Sequence, residues 1–555
     1  MKTTKTIITY CFYVFIFLLP LQTRWIFAPN ASEYRTMSVY GTEILLGLIL
    51  LLCVVGALRA TPLQQKNTPS LVITIIFIGI LILNAWNAAD QSIAFYKFSQ
   101  LILATALFAL IVALKPAFSK ISGALILSGT WQSLFAIQQF LDQKIIANKW
   151  LGMAAQDPQI LGTPIVQLGE TRWLRAFGTL PHPNMLAGFL IIILILIIGS
   201  YTLTASKRWK KVLPLFFIIN SIALFTALSR AAILTFIILI IFLPFLARKH
   251  AALSKSATKF ALIFLCVTIL FTAMYPNLIL NRATGASRVE SISNATRIEQ
   301  YKEAWPIIKS NWLTGVGLGN YTIALEKIKP ALPAWTYQPI HNADLLIFAE
   351  LGLLGLGATI LFIIFIALQL RRINLSVQRI TAITCLTGIA LLALFDHYHW
   401  SFYLGLTLFA TILALTKISG NTVVVSGPVI INNNKILLIR DKKDDFWKFP
   451  GGRVEEIDYK TKEPLRAACQ RETKEEIGLN IEIIRPLRSL LVDKPDGTAV
   501  ELNHFLVRST GTIFLGDDID EAQWHNLKNL PNSCAPNIRL VIDSLKQSDK
   551  LRLAS

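Results

Sequence analysis

The sequence predicts a polytopic α-helical membrane domain of about twelve transmembrane helices, followed by a soluble α+β domain. Three observations carry that reading. Of 555 residues, 54% are hydrophobic and only 15% charged, too few charges to clothe one soluble domain of this size. The formal charge of +20 is confined to one part: residues 1–420 hold 33 Lys+Arg against 13 Asp+Glu, whereas 421–555 hold 20 of each. Apolar runs of spanning length recur through residue 417, and a period of two with short strand-like runs follows.

At about 1.5 Å per residue, roughly 20 residues cross the hydrocarbon core. Runs of that kind lie near 7–22, 40–58, 70–87, 92–114, 117–141, 184–204, 212–228, 231–247, 260–275, 343–370, 380–395 and 401–416. Val212–Ala247 is 36 residues, about 54 Å as one helix and too long to span once. It must turn, and Ser229-Arg230 is the place. The leading run has no small-residue cleavage site after Leu19-Pro20 and reads as a retained span.

An even number of spans puts both termini on one side. The short connections there carry Lys2, Lys5, Arg59, Lys66, Lys115, Lys120, the Lys207–Lys211 cluster, Arg371, Arg372 and Lys417, while 88–91 and 396–400 on the other side carry none. The positive-inside rule makes both ends cytoplasmic, with Arg24 and Arg35 as exceptions. Two long loops, 142–183 and 276–342, then face outward. The basic residues form no stripe, which weighs against a nucleic-acid partner. Six cysteines without paired spacing indicate neither a disulfide framework nor a zinc motif. The domains divide as 1–417, a short joint at 418–421, and 422–555.

Beyond the joint, Thr422–Ile431 and Lys435–Arg440 flank Asn432-Asn433-Asn434 and read as a hairpin. Pro464–Ile477 reads as a helix stopped by Gly478, and a terminal helix is expected near Asn537–Lys546. Glu472, Glu475 and Glu476 share one helix face. Three packed carboxylates suit a hard cation such as Mg²⁺ or Mn²⁺, which in turn bridges phosphate oxygens. A bare acidic face is the plain alternative, but a Gly451-Gly452 turn, Glu463 and Arg471 accompany it here. The ensemble resembles the Nudix hydrolase signature, G-x5-E-x7-R-E-U-x-E-E-x-G-U, over about 421–555. The resemblance implies a metal held by Glu472, Glu475 and Glu476, with Glu475 catalytic and Glu463 bracing Arg471. It also implies a box framed by Gly452 and Gly478, and a nucleoside-diphosphate-type substrate. Two departures stand out: ten residues separate Gly452 from Glu463, read as an insertion around Ile457–Thr461, and Thr473 replaces an aliphatic residue.

In the membrane part, Arg297, Tyr301 and Trp305 recur every four residues. A Gly315-x-Gly317-x-Gly319 run lies outside any βαβ context, so no dinucleotide site follows. His341 stands beside Asn342 at the outer mouth of a span, and imidazole suits proton transfer near neutral pH. Arg175 precedes another span, and Arg230 sits at the turn deduced above, where an Arg near membrane depth costs about 2.5–3.5 kcal/mol and wants an anion or water. The pieces R-x-x-G-T-x-x-H-P-N (175–184), S-R-A (229–231), R-x7-W…G-V-G-x-G-N (297–320) and H-N-x-x-L…E-x-G-x-x-G (341–355) together resemble the O-antigen ligase and polymerase superfamily. That resemblance implies a bacterial inner-membrane enzyme of cell-envelope polysaccharide biosynthesis. It would transfer glycan from a polyprenyl diphosphate to an acceptor hydroxyl on the outer face, without a cofactor. His341 would be the base, and Arg175, Arg230 and Arg297 the diphosphate ligands. A transporter, or a scaffold carrying a binding-only Nudix module, is the competing reading.

Overall fold

The computed structural model describes residues 2–57, 78–204, 206–248, 250–285, 288–371, 376–418 and 423–552, apart from 443–444, 456, 459–460, 462, 488 and 494–498. It divides into two compact units, Met1–Ser419 and Gly420–Ser555.

The first unit is helical. In chain order it has α1 (Lys2–Leu18), α2 (Gly41–Ala57), α3 (Gln91–Leu114), α4 (Phe118–Asp142), α5 (Pro183–Leu203), α6 (Lys207–Thr226), α7 (Arg230–Leu246) and α8 (Ala251–Met274). Then come α9 (Pro276–Thr284), α10 (Arg288–Ser310), α11 (Tyr321–Ile328), α12 (Ala343–Arg371), α13 (Val377–Ala393), α14 (Tyr398–Ser401) and α15 (Tyr403–Ile418). Two small hairpins, β1 (Arg24–Ala28) with β2 (Met37–Tyr40) and β3 (Ile165–Leu168) with β4 (Thr171–Leu174), lie in connections.

Among the described residues, five helices are long and apolar enough to cross a membrane, and five shorter apolar helices accompany them. Residues 70–77 of the span expected at 70–87 lie outside the described residues. The long apolar run does turn where its length required: α6 ends at Thr226, Leu228 takes a left-handed φ of 49°, and Ser229 stands at the N-cap of α7.

Helix α5 is the axis of this unit. Its run from Pro183 to Gly199 is buried apart from Asn184, as expected of a helix that is apolar all round, and α4, α6, α7, α8 and α13 pack against it. Helices α7 and α8 turn Leu234, Ile241, Phe242, Leu262, Leu265 and Ile269 outward, a surface that suits lipid. The span expected over 343–370 is broken: Gly352 has φ 64° and ψ −168° inside α12. The glycine run packs into this break. A Cβ at Gly315 would lie 2.2 Å from the Glu350 carbonyl oxygen, and one at Gly352 2.4 Å from Leu313 backbone. Close backbone contact therefore accounts for Gly315 and Gly352.

The second unit contains β5 (Val423–Asn432), β6 (Lys435–Asp441), β7 (Gly452–Arg453), α16 (Pro464–Ile477), β8 (Asn480–Pro486), β9 (Leu490–Asp493), β10 (Ala499–Thr510), β11 (Ile519–Asn526) and α17 (Pro536–Arg552). The sheet runs β11-β6-β5-β10-β8, with β7 on β5 and β9 on β10. Only β5 and β10 pair in parallel among these strands. The β5–β6 hairpin closes on Asn433 and Asn434, with φ of 45° and 61°, the two left-handed residues such a turn requires. Period two sorts the buried strand residues: Val429, Ile436 and Leu438 cluster with Ile538, Val541 and Ile542 of α17. Their neighbours Ile430, Leu437 and Ile439 cluster with Cys469 and Ile477 of α16. The sheet is thus covered by a helix on each face.

Candidate functional site

A cavity of about 440 Å³ in the helical unit gathers Arg175, Arg230, Arg282, Arg297, His341 and Asp396 in its lining. All four residues that sequence reasoning chose here meet in it, from segments up to 166 residues apart in the chain. Helices α5 and α7 both begin at this wall, with His182, Asn184, Ser229 and Arg230 lining it, so two helix N-termini add partial positive charge.

The ends of α6 and α7 are held by arginine. Arg175 Nε donates to the Ala227 carbonyl at 3.0 Å, and Arg282 Nε to the Leu228 carbonyl at 2.7 Å. Arg175 Nη2 also donates to Asn184 Oδ1 at 2.6 Å, and Asn184 Nδ2 donates to Asp396 Oδ2 at 2.9 Å. Tyr301 and Trp305, which share the stripe of Arg297, are exposed and do not line the cavity.

His341 is oriented by α10. Gln300 Oε1 accepts from the His341 backbone N–H at 3.1 Å and lies 2.9 Å from its Nδ1. An amide oxygen has no proton to give, so this network assigns the proton to Nδ1 and leaves a lone pair on Nε2. Burial lowers the His341 pKa, Asp396 opposes that, and Arg297 reinforces it. Burial, aided by Arg175, takes His182 down to about 3, and burial takes His397 to about 3. His341, Asp396 and His397 each place a potential ligating atom within 4.8 Å of the others. Next to them, His397 Nδ1 is 2.6 Å from Ser401 Oγ. The arrangement offers a neutral imidazole acceptor beside a strongly cationic lining.

In the second unit, α16 carries the three glutamates. Glu476 Oε2 accepts from the Gly451 backbone N–H at 2.6 Å. Burial pushes Glu476 up to about 7, the Gly451 N–H opposing this and Glu472 and Asp441 adding to it. Glu472 packs onto Gly452, where a Cβ would sit 2.2 Å from its Oε2. Arg471 Nη1 donates to Glu472 at 2.8 Å and to Glu475 at 3.0 Å. Gly478 closes the helix with φ 71°. The donor set, three carboxylates with one fixed from the Gly451 turn, fits a hard divalent cation. Their oxygens are not drawn as close together as the His341 group.

Glu463 does not brace Arg471: it stands at the N-cap of α16 and pairs with Arg466 at 3.4 Å. Asp458, 3% exposed, does so instead. It accepts from Arg471 Nη2 at 2.9 Å and Nε at 3.3 Å, and from the Glu455 N–H at 2.8 Å. The Arg471 guanidinium in return holds the Asp458 carboxyl below its ordinary value. Five residues separate Gly452 from Asp458, so the extra residues fall between Asp458 and Arg471. Thr473 is fully buried and satisfies its hydroxyl on the Cys469 carbonyl at 2.5 Å, which explains why it serves in an aliphatic place.

Comparison with known proteins bears on both units. A family model described as O-antigen ligase matches residues 215–360, which include Arg230, Arg297 and His341, and a NUDIX-domain model matches 421–545. The ADP-ribose pyrophosphatase of Methanocaldococcus jannaschii is 34% identical over 127 residues, covering 21% of this chain and 70% of that protein. This chain belongs to the Nudix family and carries an O-antigen ligase domain. Among solved structures, the MutT NUDIX hydrolase from Burkholderia pseudomallei is 25% identical, with a TM-score of 0.21, over 22% of this chain and 98% of that one. The E. coli ORF135 protein is 24% identical, with a TM-score of 0.21, over 25% and 97%.

The ligase-like unit also contains functional candidates that sequence reasoning left unassigned. Arg282 lines the cavity as the chosen arginines do. Asp396 and Asn184 had a signal, since Asp396 adjoins His397 and Asn184 follows His182 by two residues, but their pairing across 212 positions is not readable from one sequence.

Proposed function

We propose that the ligase-like unit transfers a glycan from a polyprenyl diphosphate to an acceptor hydroxyl at the outer face of a bacterial inner membrane. Both chain termini are then cytoplasmic and the unit spans about twelve times. The observation that carries this reading is the shared cavity of four arginines and His341. The acceptor hydroxyl gives its proton to His341 Nε2 as its oxygen bonds to the anomeric carbon. The bond from that carbon to the diphosphate breaks, and its electron pair leaves on the diphosphate. Arg175, Arg230, Arg297 and Arg282 stabilise that growing charge by paired N–H contacts, and the N-termini of α5 and α7 add to it. The cationic lining fills the place that a divalent ion takes in other diphosphate sites. A transporter would instead collect its charges near the bilayer midplane on paired broken helices.

The Nudix unit hydrolyses a nucleoside-diphosphate-linked compound on the cytoplasmic side. ADP-ribose is the first substrate to try, from the name of its relative. Glu472, Glu475 and Glu476 would hold Mg²⁺ or Mn²⁺, which activates water and neutralises phosphate charge when bound. Arg471 spaces two of these carboxylates and is itself anchored by Asp458.

The test is a transfer assay on the full chain in liposomes, with an undecaprenyl-diphosphate-linked oligosaccharide as donor. Arg230→Ala and Arg297→Ala should each lower transfer at least tenfold and leave ADP-ribose hydrolysis unchanged. Transfer that survives both substitutions together would remove the arginines from the site.

A further inference from the structure

The helical unit has a second cavity of about 220 Å³, lined among others by Tyr34, Tyr40, Tyr96, Tyr403, Gln100 and Glu33. It differs in chemistry from the arginine cavity. Arg24 and Lys97 share this lining with the carboxylate of Glu33, and six aromatic side chains, Tyr34, Tyr40, Tyr96, Phe177, Phe402 and Tyr403, contribute to the wall. The rings are held in place: Tyr40 and Tyr403 stack with centroids 5.8 Å apart, and the Tyr96 hydroxyl donates to the Ser38 carbonyl at 2.9 Å.

Two polar groups in this lining are unpartnered. Gln100 is 2% exposed and Tyr403 3%. Neither the Gln100 Oε1 nor the Tyr403 hydroxyl has a hydrogen-bond partner among the described residues. A buried group of this kind is costly to leave without a partner, and native proteins seldom keep one that nothing ever satisfies. Flat aromatic faces with scattered donors and acceptors suit a sugar ring, which shows C–H faces to the rings and hydroxyls to the edges. The volume suits one such ring.

The cavity adjoins the reaction centre. Tyr34 packs edge-on against His397 at 5.6 Å, and His397 packs against His341 at 5.2 Å. On the other flank, Phe177 of this cavity meets His182 of the arginine cavity at 6.4 Å. From this geometry we infer that the aromatic cavity binds a neutral sugar ring of the acceptor, beside the diphosphate held by the arginines. The inference rests on the transfer reading above. It assigns the uncharged reactant to the one cavity and the anionic leaving group to the other.

The experiment uses the full chain in nanodiscs, with glucose, galactose and N-acetylglucosamine observed by saturation-transfer difference NMR and pyrophosphate titrated by calorimetry. At least one sugar should bind, and it should still bind when pyrophosphate is saturating. Tyr403→Phe removes an unpartnered hydroxyl, so it should weaken the sugar at least fivefold with no loss of melting temperature. Arg230→Ala should weaken pyrophosphate alone. Pyrophosphate binding with no sugar signal at tens of millimolar would overturn the inference and leave the arginine site standing. Binding of neither probe would overturn the transfer reading with it. A third probe separates donor sugar from acceptor sugar. If farnesyl-diphosphate-linked N-acetylglucosamine displaces the free sugar, the cavity belongs to the donor and the acceptor assignment is wrong.

Discussion

Asn184 donates to Asp396 Oδ2 at 2.9 Å and accepts from Arg175 Nη2 at 2.6 Å, so one amide joins an anion and a cation at the wall of the arginine cavity. Each of its two polar atoms is matched to the charge it can serve. Asn184→Ala would leave Asp396 and Arg175 each short of a charged-group hydrogen bond. The expected cost is about 1.5–3 kcal/mol of stability and a tenfold or greater loss of glycan transfer, read by thermal denaturation and by the liposome assay.

The pH profile of transfer follows from His341. Its pKa is lowered by burial, so the neutral base form persists below the ordinary imidazole range. Transfer should be flat from pH 7 to 8 and fall only in more acid solution. Asp396 opposes the lowering, so Asp396→Asn should move the acid limb to still lower pH. An acid limb that moves upward in this variant would contradict the electrostatic assignment.

In the Nudix unit the contrast between two acidic residues is sharp. Asp458→Asn removes charge from the buried partner of Arg471 and should cost about 1–3 kcal/mol, together with most ADP-ribose hydrolysis. Glu463→Gln affects a residue whose side chain is 64% exposed and paired with Arg466, and exposed pairs of this kind contribute about 0–1 kcal/mol. Its hydrolysis rate and melting temperature should match the parent.

Chelation should separate the two activities. With EDTA, hydrolysis by the Nudix unit should stop and return with Mg²⁺, while glycan transfer by the same preparation continues. Loss of transfer under EDTA would assign a metal to the arginine cavity as well.

Gly315 tests the structural reading of the glycine run. Its φ of 71° and the close Glu350 carbonyl leave no place for a methyl group. Gly315→Ala should destabilise the helical unit by at least about 2 kcal/mol, seen as lost expression or a lower melting temperature.

Local physics made much of this legible in the sequence. Two asparagines capable of left-handed backbone fixed the hairpin turn, a 36-residue apolar run had to bend at Ser229-Arg230, and Pro464 and Gly478 bounded α16. Residue spacing was weaker where an insertion had two possible positions. Glu463 matched the signature counted back from Arg471, whereas Asp458 matched it counted forward from Gly452, and only burial separates them. The break at Gly352 escaped because an apolar run looks the same whether or not another backbone presses into it. Likewise, four separate arginine positions carry no sign in one sequence that they share a cavity with a histidine.

The most direct measurement is single-turnover glycan transfer from an undecaprenyl-diphosphate donor by His341→Ala, with ADP-ribose hydrolysis measured on the same sample. A base role for His341 predicts transfer reduced at least a hundredfold while donor binding and hydrolysis are retained. Transfer at the parent rate by His341→Ala would contradict it.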